Sequence, residues 1–167
     1  MKNLRIFLPT LLLALLLAPA SRGAGGDGDD NSSTQSTSRP AATAALDRDY
    51  VAAKQAIKAK LWRRAQALLK NSAARRPNSA DTQNQLGFVS RQLGDFRTAF
   101  VHYRKALLLE PYHRGALEYQ GESYLAVGDL AGAKSNLSRL GQACAYDCEE
   151  YRDLDAAIRE YRRRNAS

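Results

Sequence analysis

The sequence predicts an all-α chain of stacked helical hairpins, and three observations carry that prediction. The chain repeats every 34 residues: Trp62, Phe96 and Leu130 share one phase, Ala65, Ala99 and Ala133 a second, and Leu69, Tyr103 and Leu137 a third. Small, acidic and imino residues recur in the same register, pairing Gly87 with Gly121, Gly94 with Gly128, Asp95 with Asp129, and Pro77 with Pro111. Near the C-terminus Tyr151, Leu154, Ile158 and Tyr161 recur at helical spacing, with Arg152, Asp153, Asp155, Arg159, Glu160 and Arg162 between them. A period of this length marks an array in which each unit buries its apolar face only against its neighbours.

In chain order, residues 1–20 are expected to be a secretory signal peptide. Lys2 and Arg5 supply a positive start, Ile6 to Leu17 is a nearly unbroken apolar run, and Ala18, Pro19 and Ala20 offer small residues for cleavage, with Ala24 as a second processing site. The apolar run is shorter than the ~20 residues of a membrane-spanning helix, so no transmembrane anchor is expected after cleavage. Residues 21–45 are rich in Ser, Thr, Gly and Asp and reach no large apolar side chain before Leu46. They are expected to form a disordered linker, because such a composition cannot bury enough surface to offset its ordering entropy.

The helical domain is expected over 46–167, with repeats at about 46–79, 80–113 and 114–145 and a capping helix at about 148–164. Helix pairs are predicted at 47–59 and 61–75, 80–93 and 95–109, and 114–127 and 129–141. Gly94 and Gly128 suit the left-handed turn between the helices of a pair. Ala99 and Ala133 let two helix backbones approach closely, and Gly87 and Gly121 do the same on the partner helix. Their helix cost of about 1 kcal/mol relative to Ala points to compensating close packing. Pro111 ends the helix before it, since proline disfavours helical geometry in the preceding residue. The last segment, with one apolar stripe and one charged face, should cover the open end of the third repeat.

The clearest copy runs from Ala80 to Pro111, with L-G at 86–87, L-G-D-F at 93–96, then Ala99, Tyr103, Ala106 and Pro111. It resembles the tetratricopeptide repeat (TPR), whose unit carries L-G on the first helix, A-x3-F on the second and a closing Pro. The third copy keeps Gly121, Tyr124, Gly128 and Ala133 but has Ala145 in place of the proline; the first has Ala53 and Lys60 in place of its glycines. The resemblance covers roughly 46–145 and implies an all-α, TPR-type helical-hairpin solenoid of about three repeats plus a C-terminal capping helix. The run C-A-Y-D-C-E-E-Y at 144–151 further resembles a segment of small exported bacterial TPR proteins.

The net charge is +8, or +6 once the two charges of the signal are removed. From Arg48 to Arg114 fourteen Lys or Arg face four acids, and from Gly115 to Ser167 seven face nine. A basic first half points to an anionic partner, such as an acidic protein surface; ordinary solvated helix faces are the alternative. Nucleic acid is not expected as a partner of an exported chain.

Cys144 and Cys148 are the only cysteines. In an oxidising compartment such as the bacterial periplasm two thiols this close pair as a disulfide. Because four residues on a continuous helix set them somewhat too far apart, the preceding helix should stop before Cys144 and Asp147 should cap the last helix. A redox-active pair or a soft-metal site is the alternative, although a metal needs more ligands than these two. No nucleophile–base pair, phosphate loop or metal-ligand cluster is evident, so neither enzyme activity nor a cofactor is expected.

In the tetratricopeptide family the first helices of the pairs line a concave groove that holds extended peptides or partner helices. Carried over by phase, the resemblance implies a protein- or peptide-binding groove lined by Tyr50, Lys54, Ile57 and Lys58, by Asn84, Phe88, Arg91 and Gln92, and by Glu118, Glu122 and Leu125. The Lys/Asn arrangement with which some members grip a terminal carboxylate is not matched, since Tyr50 and Lys54 occupy those places. The expected function is therefore a periplasmic protein-interaction scaffold; the alternative is a redox or metal-handling accessory acting through Cys144 and Cys148.

Overall fold

A computed structural model describes residues 47–166; the expected signal peptide, and the linker over 21–45, lie outside the described residues. Among these residues there are seven helices and no strand: α1 Arg48–Lys58, α2 Trp62–Arg75, α3 Ala80–Gln92, α4 Phe96–Leu109, α5 Arg114–Ala126, α6 Leu130–Cys144 and α7 Glu149–Arg164. No described helix is long and apolar enough to cross a membrane.

Polar side chains set the beginnings of five helices. Asp47 accepts from the amides of Asp49 and Tyr50, Ser79 from Thr82, Asp95 from Thr98, and Asp129 from Gly132, each satisfying a donor that the first helical turn leaves free. His113 caps α5 with its ring: Nδ1 accepts from Ala116 N–H at 3.1 Å, which leaves Nε2 to donate to Asp81 at 3.1 Å. The turns inside the second and third pairs pass through Gly94 at φ +81° and Gly128 at φ +86°. Lys60 makes the equivalent turn of the first pair at φ +56°, a conformation that costs a residue with a Cβ more than it costs glycine.

The stacking follows the repeat. Each first helix packs on its own second helix, and each second helix packs on the next first helix, so α2 touches α3, α4 touches α5 and α6 touches α7. Ala65, Ala99 and Ala133 are buried at these contacts. A Cβ on Gly87 would meet the ring of Tyr103 at 2.5 Å, so the close approach inside the second pair needs glycine. Gly121 differs from expectation in its neighbour: a Cβ there would come within 2.5 Å of Leu154 on α7. The last helix contacts α5 and α6 together, as α5 contacts α3 and α4, and so stands where the first helix of a further unit would stand.

The apolar core has two parts. One gathers Ala53, Ala56, Ala65, Leu69, Leu86 and Val89, the other Leu117, Ala133, Leu140, Leu154 and Ile158. The predicted stripe on α7 is thus the buried one, with Leu154 and Ile158 inside, and with Tyr151 and Tyr161 half-buried. Asn136, one of the N-x-S/T sites at 31, 136 and 165, is also buried, its amide donating to Leu117 O at 2.9 Å and Gln120 Oε1 at 3.0 Å. It is closed to glycosylation once the chain has folded.

The junction before α7 departs from expectation in two respects. Helix α6 runs through Cys144 instead of stopping before it, and the chain then reverses at Ala145 and Tyr146, both left-handed at φ +50° and +65°. That reversal, rather than an earlier helix end, brings the two cysteines to a Cα separation of 5.8 Å and allows the Cys144–Cys148 disulfide. Asp147 does not cap the last helix. Cys148 holds that position with extended backbone and no side-chain bond, while Asp147 pairs with Arg152 at 2.8 Å. Glu149 and Glu150 in the first turn face the positive end of the helix dipole instead.

Candidate partner-binding groove

Helices α3, α5 and α7 stand side by side, and their shared face carries most of the residues assigned to the groove. Its centre is a row of aromatic rings. Phe88 lies 4.9 Å from Tyr119 and 6.1 Å from Trp62, the latter edge-on, in the range where aromatic pairs attract. The guanidinium of Arg91 sits 5.7 Å from the Phe88 centroid and 5.8 Å from that of Tyr119, close enough for cation–π attraction to both. Arg91 Nη1 also pairs with Glu122 at 2.8 Å. The Arg91 guanidinium is therefore already engaged by both rings and by Glu122, and Phe88 is half-buried.

At the α1 end the charges are open. Lys54 and Lys58 are exposed, and Lys54 Nζ lies 6.0 Å from the ring of Tyr50. Burial and the charge of Asp81 push the Tyr50 hydroxyl up to about 12. Asn84 is only 4% exposed, and its amide lies against Gly115, where a Cβ would approach Nδ2 at 3.0 Å. It belongs to the packing between α3 and α5 rather than to an open surface.

At the α7 end the acids converge. Glu118 is 8% exposed, and its carboxyl is pushed up to about 8, first by burial and then by the charges of Glu122, Asp153 and Glu150, with Arg91 pulling the other way. Glu150 is itself 3.7 Å from Arg114. Sequence reasoning placed Glu118 and Glu122 here but missed Tyr119, Trp62, Glu150 and Asp153. A usable signal existed for one of them, because Asp153 stands 35 residues beyond Glu118, close to the repeat period, once α7 is counted as a further first helix.

Both histidines have structural partners: His102 Nδ1 lies 2.9 Å from Gln83 Oε1, and His113 caps α5. Among the described residues no group of three or more His, Cys, Asp or Glu could hold a metal ion. The two cysteines are joined, and Cys148 is buried.

Helices paired, stacked and turned in this way form the all-α solenoid of the tetratricopeptide-repeat fold. Two solved structures show the same fold. The first TPR of Spaghetti (RPAP3), bound to the HSP90 peptide SRMEEVD, superposes with a TM-score of 0.63 and 15% identity, covering 71% of this chain and 91% of that one. PcrH, in complex with the chaperone-binding region of PopD, gives 0.64 and 20%, covering 72% and 92%. In sequence, 67 residues are 45% identical to the probable biofilm formation methyltransferase WspC of Pseudomonas putida. That match takes in 40% of this chain and spans only 16% of the relative's length. No family model matches the chain.

Proposed function

We propose that this protein is a protein-interaction scaffold, exported to the bacterial periplasm, that holds a segment of a partner along the face formed by its first helices. The observation that carries the reading is the row Trp62, Phe88, Tyr119 and Arg91, which joins an exposed basic end to an acidic end on one surface. Large amphipathic rings with an arginine among them are the residue types that dominate binding energy at protein interfaces. The two proteins of the same fold named above are each bound to a peptide or a partner region, which supports the same use of the fold here. Lys54 and Lys58 suit an acidic stretch of the partner. The basic signal-like start at Lys2 and Arg5 and the joined cysteines support export to an oxidising compartment.

In this reading the Cys144–Cys148 bond ties α6 to α7, and the protein has no catalytic role, metal or cofactor. The WspC match covers too little of that protein to bring its methyltransferase activity here. Photo-crosslinking tests the proposal by position. With p-benzoylphenylalanine at Lys58 or Gln92, both exposed on the first helices, the exported protein should capture one and the same partner. At Lys105, exposed on α4, it should not. Equal capture from all three positions removes the groove as the binding surface.

A further inference from the structure

On the far side of α5 from the aromatic row, we infer a second site: a groove between α4 and α6 that binds a small amphiphilic carboxylate, an alkyl chain with one anionic head. It encloses about 500 Å³, within the range of small-molecule sites. Its floor comes from Gln120 and Tyr124, which at about 100° per residue lie on the opposite face of α5 from Tyr119 and Glu122. The site is therefore independent of whatever the aromatic row holds. A partner helix of two turns, about 10 Å across, is too bulky for that volume, and an alkyl chain is not. Repeat register shows why the groove opens at this step. On α6, Gly132 and Asn136 stand where α4 has Thr98 and His102, 34 residues earlier, so that wall is cut back. On α4, Leu107 and Leu108 stand where α2 has Ala73 and Ala74, so the facing wall is richer in hydrocarbon. Leu108 is 83% exposed, more than any other large apolar side chain among the described residues. Tyr124, 4.8 Å from Phe100, lies against α6 at Gly132, where a Cβ would meet its ring at 2.8 Å.

Charge selects the head group. Arg104 and Arg139 line the groove from its two walls, and no acid lines it. Arg104 follows Phe96 by eight residues and Arg139 follows Leu130 by nine, and Phe96 and Leu130 share one phase of the repeat. The two guanidiniums therefore spring from nearly the same level of α4 and α6. Arg139 Nη2 donates to Pro111 O at 2.6 Å, and among the described residues neither arginine is paired with a carboxylate. A carboxylate entering between them gains charge-assisted hydrogen bonds from planar donors that match its geometry. Its chain then covers Leu107, Leu108 and the ring of Tyr124, taking apolar surface out of water.

The experiment titrates the full exported chain with octanoate, 1-octanol and acetate, by calorimetry and by NMR of the Leu107 and Leu108 methyl groups. Octanoate should bind saturably and shift those signals while the ring resonances of Phe88 and Tyr119 stay in place. 1-Octanol, with the same chain and no charge, should bind about tenfold or more weakly, and acetate, with the head alone, should not saturate. Arg104→Gln together with Arg139→Gln should abolish the preference for octanoate over 1-octanol. If that pair unfolds the chain, Arg104→Gln alone, which breaks no ion pair among the described residues, should still reduce it. Leu108→Glu, at an exposed position, should weaken octanoate about tenfold or more through like charge. Equal affinity for octanoate and 1-octanol, an undiminished preference in the arginine variants, or no saturable octanoate binding overturns the assignment. Acetate that binds as tightly as octanoate overturns it too, leaving an adventitious ion only. So does a peptide of leucine and glutamate that occupies the groove where octanoate does not, which makes it a protein-docking surface.

Discussion

Where α1 begins, a carboxylate does the fastening; where α7 packs, leucine and isoleucine do it. The buried residues of α1 are only Ala53 and Ala56, and those of α7 are Leu154 and Ile158. Alanines bury little area, so α1 is held by a polar clasp as well: Asp47 accepts from Ser72 Oγ at 2.6 Å and pairs with Arg75 at 2.9 Å, while Asp49 takes the same guanidinium at 2.6 Å. The Asp47 carboxyl is pulled down to about 2, chiefly by the Ser72 hydroxyl, against a burial effect of opposite sign and with Arg75 and the Tyr50 amide assisting. The lesson is that an end helix with small residues to bury is fastened by groups that titrate, and one with large residues by its apolar stripe.

The largest expected effect lies in the apolar closure. Leu154→Ala removes the side chain that fills the space left by Gly121, and should cost about 2–5 kcal/mol by urea unfolding. A loss much below that would mean that α7 is not held by its apolar stripe. Glu118→Gln acts at the same end with the opposite sign. The folded carboxyl keeps its proton up to about 8 against an ordinary 4.5, so the folded state binds more protons between those values and stability should fall as pH rises through them. The glutamine variant should lose that decline and gain on the order of 2 kcal/mol at pH 8; an unchanged pH slope would place Glu118 in contact with water.

Reducing the disulfide tests the covalent part of the α7 closure. The loop between Cys144 and Cys148 is very short, so chain-entropy arguments limit the loss to about 2 kcal/mol. The intact mass of the unreduced exported protein should fall two protons short of the dithiol. The smallest change is expected at α1. Asp47→Asn keeps a capping oxygen but loses the charge, and should cost about 1 kcal/mol near neutral pH. Because the folded pKa lies below the unfolded one, the stabilisation of Asp47 is present above about pH 4 and is lost as pH falls toward 2. The variant should therefore show a flatter acid limb; if both proteins lose stability equally on acidification, the clasp is not what acid breaks.

The fold was legible because the 34-residue phase fixes where each side chain points within its own hairpin. Ala99 and Gly94 could be placed from that alone, and Leu154 from the helical spacing of the last apolar stripe. Contacts between repeats were harder to read. The pairing of Arg91 with Glu122, and of Glu118 with the charge of Asp153, depends on how far one hairpin is offset from the next, which no single repeat encodes. The early end assigned to α6 failed for a different reason. A pair of left-handed residues, Ala145 and Tyr146, carries none of the glycine or asparagine chemistry that usually announces such a turn.

Trp62 is the only tryptophan in the chain, and it stands at the edge of the aromatic row, 6.1 Å from Phe88. The protein therefore carries a built-in optical probe. Its emission originates from a single place, the step from the first hairpin to the second, and tyrosines such as Tyr119 lie near enough to feed it excitation. A spectrum that shifts while far-ultraviolet ellipticity holds steady would report a change at the aromatic row with every helix still intact.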